Sequence, residues 1–129
     1  MDYIEVKQWL ESYMTLYHEI EEIDRKMQGV KAIIYTNEAP GGVKVSMEYY
    51  ISKKEKYEKQ MAEIKQAIHS IPNYAQRIAL EHRYLEGMNV KDVAAIMHYD
   101  QKYMSIIIKR GVMSIVRMKN TKMMNKCVL

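Results

Sequence analysis

Apolar positions recur every seven residues at the start of this chain. Val6, Tyr13, Ile20, Met27 and Ile34 fall seven apart, and Trp9, Leu16, Ile23 and Val30 fill the second apolar position of the same heptad. With Glu, Lys and Arg between them, this pattern predicts one long helix of coiled-coil type over residues 3–35. Leu10 and Tyr17 widen the stripe in the first half, so that end is expected to pack against more than one neighbour. Gly29 lowers helix propensity without interrupting the pattern. A second heptad run places Met47, Lys54, Met61 and Ile68 at one position and Tyr50, Tyr57, Ile64 and Ile71 at the other. Between the runs, Thr36 to Ser46 is the one breaker-rich stretch, and Pro40-Gly41-Gly42 predicts a loop that reverses the chain. At a rise of 1.5 Å per residue the two helices are about 45–50 Å and about 40 Å long, so they fold back as an antiparallel hairpin. Lys54, the one charge at a core position, is expected to pack its stem and keep its ammonium in water. An isolated helical hairpin buries little surface, so a homodimer with the hairpin as its seam is expected.

The pattern then shortens. Ser70-Ile71-Pro72-Asn73 ends the second helix, and Asn73 with Gln76 reads as a capping box. A helix over about 74–86 presents Ile78, Leu80, Tyr84 and Leu85, and Gly87 closes it. Asn89 caps a further helix with Val93, Ala94 and Met97 on one face. His98-Tyr99 breaks that pattern, and Asp100 starts another helix with Met104, Ile107, Ile108 and Gly111 along one side. The small side chain of Ala94 lets the two helices cross closely. These offsets predict a helix-turn-helix, whose second helix fits a DNA major groove. His98 occupies the corner, where φ is often positive and glycine is commoner, and histidine tolerates that region better than most residues. The expected fold is all-α: a coiled-coil hairpin over residues 1–71 for dimerisation, then a helix-turn-helix module over 72–129 with a basic C-terminal tail.

Composition narrows the classes. The 129 residues suit one compact domain or a small domain with an extension, and 48% hydrophobic with 28% charged residues suits a globular chain. No apolar run approaches the roughly 20 residues a membrane span needs, and the acidic, aromatic start does not read as a signal peptide. One cysteine, Cys127, excludes an intramolecular disulfide, so a cytoplasmic location is expected. Met 12 and Tyr 11 alongside Phe 0 point to tolerant, Met-rich packing. Charge divides unevenly. Residues 1–70 carry 10 Lys/Arg against 12 Asp/Glu, whereas residues 71–129 carry 10 against 4. No acidic residue follows Asp100, while Lys102, Lys109, Arg110, Arg117, Lys119, Lys122 and Lys126 do. That asymmetry suits a polyanion partner for the second half, against the plainer reading of a solvated basic helix face.

With Met104, Ile107 and Ile108 turned inward, the outward positions of the second helix are Gln101, Lys102, Ser105, Ile106 and Lys109. Gln can pair with adenine, Lys can reach guanine, and Ile106 can meet a thymine methyl or, alternatively, face a protein. Tyr103 suits a phosphate or sugar edge, and Arg110 and Arg117 lie where they would neutralise phosphates. Lys91, on the preceding helix, completes the candidate DNA-binding set. His18, His69 and His82 have no ligand spacing with one another or with Cys127, so neither a metal nor another cofactor is expected. No nucleophile-and-base constellation can be assembled, and the chain is expected not to be an enzyme.

The run from Ala79 to Asp100 resembles the fourth conserved region of bacterial sigma factors: a tyrosine and acidic residue (Tyr84, Glu86), Gly87, the cap Asn89, the pair Val93-Ala94, and a cap before the recognition helix. His98 stands where glycine is usual, Asp100 where serine or threonine is usual, and Ile106-Ile107-Ile108 makes the groove face less polar. With the long N-terminal helices and the Pro-Gly-Gly loop, the chain looks like a small phage-encoded transcriptional regulator of the RinA/ArpU type. The likeness is specific over about 72–117 and architectural over 1–71. It implies binding to double-stranded DNA, contacts to RNA polymerase, and a phage or prophage origin in a bacterial cytoplasm. Two other classes fit the same pattern: a small terminase-like packaging protein, and a phage inhibitor that binds a host enzyme through the same module.

Overall fold

The computed structural model describes the backbone of residues 1–35 and 43–128 and the side chains of 1–29 and 47–121. Every element among them is helical: α1 (Tyr3–Tyr35), α2 (Val43–His69), α3 (Tyr74–Leu80), a π-helical turn (Glu81–Leu85), α4 (Val90–Met97) and α5 (Gln101–Val128). The protein is all-α. The side chains of Val30, Ile34, Lys122, Lys126 and Cys127, and the Pro40-Gly41-Gly42 turn, lie outside the described residues.

Local chemistry explains most boundaries. Asp2 Oδ1 accepts from the Glu5 amide at 2.9 Å and opens α1. α2 begins at Val43, four residues earlier than the expected loop allows, because nothing after Gly42 breaks a helix. It ends at His69, two residues before the last heptad position, because Pro72 disfavours helical backbone at Ile71. Ile71 is nonetheless fully buried. The expected capping box is half formed. Asn73 Oδ1 accepts from the Gln76 amide at 3.0 Å, but the Gln76 side chain does not serve as its reciprocal. Its Oε1 accepts instead from Ser114 Oγ of α5 at 2.9 Å.

The helix expected over 74–86 changes pitch after Leu80. The Glu86 amide reaches the Glu81 carbonyl at 3.1 Å, five residues back, and the Met88 amide reaches that of His82 across Gly87. Gly87 has φ +71°, a left-handed backbone that calls for glycine, and a Cβ there would press on the flexible end of Met14 at 3.1 Å. Arg83 ties this turn down by donating to the Met88 carbonyl at 3.1 Å.

Two compact units make up the chain: Met1–Met14 with Glu63–Leu129, and Thr15–Ala62. The first holds Val6 and Leu10 of α1 and Ile64 and Ile68 of α2 in one core with Leu80, Tyr84, Val93, Met104, Val112 and Ile115. The range expected to be hairpin alone therefore contributes both its ends to the core of the helices that follow. Burial pushes the Tyr84 phenol up to about 12, so it stays neutral. α3 packs on α5 so closely that a Cβ on Gly111 would lie 3.0 Å from Leu80 Cγ. In the second unit Leu16 and Ile23 are buried, and Lys54 Nζ reaches Asp24 Oδ1 at 2.7 Å. The Lys54 stem is half-buried as expected, and its ammonium, still in contact with water, also meets a carboxylate of α1.

Candidate nucleic-acid interface

α4 and α5 meet at a corner built from backbone hydrogen bonds. Asn89 Oδ1 accepts from the Asp92 amide at 2.8 Å and starts α4. Asp92 also lies in the first turn, where a negative charge favours the helix dipole. Val93 and Ala94 are buried, and α4 packs on α5. His98 closes α4 in the left-handed region, at φ 60° and ψ 39°. The Tyr99 amide reaches the Ala94 carbonyl at 3.0 Å while that of His98 reaches Ala95 at 3.4 Å. This pair of bonds is a Schellman closure, usually built on glycine. His98 is the one positive-φ residue other than glycine among the described residues. The corner histidine therefore has a structural reason to be there. The Asp100 carbonyl accepts from the Met104 amide at 2.9 Å as α5 begins.

The two sides of α5 differ sharply. Met104, Ile107, Ile108, Gly111, Val112, Ile115 and Val116 are buried. Gln101, Lys102, Tyr103, Ser105, Ile106, Lys109, Arg110 and Arg117 are exposed, as is Lys91 on α4. All nine sequence-derived candidates thus lie on accessible surface, eight of them along one helix. Among the described residues, none of Lys91, Lys102, Lys109, Arg110 and Arg117 pairs with a carboxylate. Five positive charges without internal partners are available to an external anion. Ser105 Oγ donates to the Gln101 carbonyl at 3.2 Å, which leaves that hydroxyl as an acceptor toward anything outside. Among the described residues no cluster of three His, Cys, Asp or Glu side chains is placed to hold a metal ion. No described helix is long and apolar enough to cross a membrane.

The sequence reading missed two surface features. Ile96 and Tyr99 are exposed, as are Tyr103 and Ile106, and the rings of Tyr99 and Tyr103 meet edge to face at 5.4 Å. The helical wheel carries this signal, since Ile96 lies off the Val93–Met97 face. A hollow of about 240 Å³ lies elsewhere in the same unit, lined by Trp9, Ala67, Ile115 and Met118 with Glu63 and Lys119 at its edge. There the Lys119 ammonium stands 3.9 Å over the Trp9 ring. Three distant segments form that hollow, so no local pattern announces it. Comparison with protein families, curated proteins and solved structures finds no match for this chain.

Proposed function

We propose that this protein is a double-stranded-DNA-binding regulator of transcription, acting through a helix-turn-helix formed by α4 and α5. The observation that carries the reading is the row of unpaired cations on the outer side of α5, beside a corner closed by backbone hydrogen bonds. α5 enters the major groove with its first two turns. Gln101 and Ser105 meet base edges, and Lys91, Lys102, Lys109, Arg110 and Arg117 meet phosphates. The remainder of α1 and α2 forms an antiparallel coiled-coil hairpin through which two copies pair. The half-exposed apolar residues of that unit, and Tyr17 at 46% exposure, support a second copy. The resemblance to the RinA/ArpU regulators and to the fourth sigma region extends this reading to a phage regulator that contacts RNA polymerase in a bacterial cytoplasm.

A titration of fluorescent duplexes at several salt concentrations tests it. The expected result is binding whose logarithm falls linearly with log salt, and Lys109→Ala should weaken every duplex and lower the slope by about one unit. Gln101→Ala should cost about 1–3 kcal/mol on a preferred site and little on random DNA. No binding to any duplex at low salt would end the DNA reading. A protein-binding module would then take its place, which the exposed apolar residues Ile96, Tyr99, Tyr103 and Ile106 favour.

A further inference from the structure

We infer that Ile106 is a reader of pyrimidine 5-methyl groups in the major groove, an inference that rests on the DNA reading above. A single exposed isoleucine is ordinary on a protein surface, and the 41% exposure of Ile106 alone would mean little. Its surroundings set it apart. Residues three and four apart are neighbours on a helix, so Ile106 is ringed by Lys102, Tyr103, Lys109 and Arg110, all exposed. It also stands two residues from each of Met104 and Ile108, about 200° around the helix from both, opposite the buried side. The point of α5 farthest from the core is therefore apolar, and long cations flank it.

That arrangement discriminates between partners. A flat apolar protein surface that reached Ile106 would have to dehydrate three unpaired cations at the same time. A duplex dehydrates none of them without compensation. The groove is about 12 Å wide and accepts a helix, its walls offer phosphates to the flanking cations, and its floor offers an apolar group at C5 of thymine. Cytosine methylated at C5 presents that group at the same position, so the chain should also respond to cytosine methylation.

The test uses the full-length protein and four alternating polymers: poly(dA-dT), poly(dA-dU), poly(dG-dC) and its 5-methylcytosine form. Each pair differs by the methyl alone. The wild type should bind the methylated member of each pair about fourfold more tightly per methyl covered, the size expected for removing one methyl from water. In Ile106→Ala that ratio should fall to near one. In Ile51→Ala, which alters an exposed isoleucine on α2, it should persist. Thermal melting of both variants checks that they fold. Equal binding within each pair, or a preference that survives Ile106→Ala, would overturn the methyl reading and leave DNA binding standing. Failure to bind any of the four polymers would remove the DNA reading itself, and this inference with it.

Discussion

In the unit built from Met1–Met14 and Glu63–Leu129, the heptad residues Val6, Ile64 and Ile68 and the flanking Leu10 have no solvent contact. In the unit Thr15–Ala62, residues at the same heptad spacing fare differently: Ile20, Met27, Met47, Tyr50, Tyr57 and Met61 are half-buried, and Leu16 and Ile23 alone among the described residues are enclosed. The same two helices supply both sets. The difference lies in what else packs there. The first unit also contains α3, α4 and α5, whereas the described residues of the second unit all belong to α1 and α2. A heptad pattern thus tells which face of a helix is apolar but not how many neighbours cover it.

Truncations at matched sites should separate the units most. Leu10→Ala empties a fully buried site and should cost about 3 kcal/mol in urea denaturation. Ile20→Ala removes a half-buried side chain and should cost about 1 kcal/mol in dilute solution. The concentration dependence sharpens the contrast. If a second copy covers the Ile20 face, the cost of Ile20→Ala should grow as protein concentration rises, while that of Leu10→Ala should not. Equal costs for both substitutions at every concentration would erase the distinction.

Glycine to alanine should act with opposite sign in the two units. An alanine Cβ at Gly111 would stand 3.0 Å from Leu80 Cγ and 3.1 Å from its Cδ1, and Leu80 is fully buried. Overpacking of about 1–3 kcal/mol outweighs the roughly 1 kcal/mol gained in helix propensity, so Gly111→Ala should lower stability. A Cβ at Gly29 meets nothing within 4 Å, so Gly29→Ala should raise stability by about 0.5–1 kcal/mol. Thermal melts of the two variants against wild type check both signs.

The features legible in the sequence are those with a local cause. The two long heptad runs gave α1 and most of α2, because burial of one stripe imposes a seven-residue period. Asn73 and Asn89 were readable as caps because each acts on an amide three residues away. The outward set on α5 followed from the inward one, since a helix fixes the angle between them. What escaped reading depends on residues far apart in the chain. The inward side of Gly111 was legible, but not that Leu80, 31 positions earlier, packs against it. Gln76 spends its side chain on Ser114 of α5 instead of on its own cap. The π turn at Glu81–Leu85 adds one residue to a helix, a change that a 3.6-residue period averages out over so short a stretch.

The smallest expected effect concerns the one charge in the apolar seam. Lys54 occupies a heptad core position, yet its ammonium lies 2.7 Å from Asp24 Oδ1 and 4.0 Å from Glu58 Oε1, and all three side chains keep substantial contact with water. The hydrogen bond to Asp24 holds the Lys54 pKa above the ordinary lysine value, so whatever the pair contributes is fully present below the ordinary value and is lost as pH rises through the raised one. Exposed pairs of this kind are screened by water and contribute little. Lys54→Met removes that contribution, adds apolar contact along the seam, and leaves Asp24 accessible to water. The net change in stability should therefore be close to zero. The consequence should appear in association instead. A polar side chain at a core position fixes register and partner number, so Lys54→Met should broaden the size distribution seen by sedimentation velocity. A large loss of stability would carry a different message. It would mean that Asp24 is left unpaired in a dry environment, and that the face of this unit is covered in solution as fully as the core around Leu10.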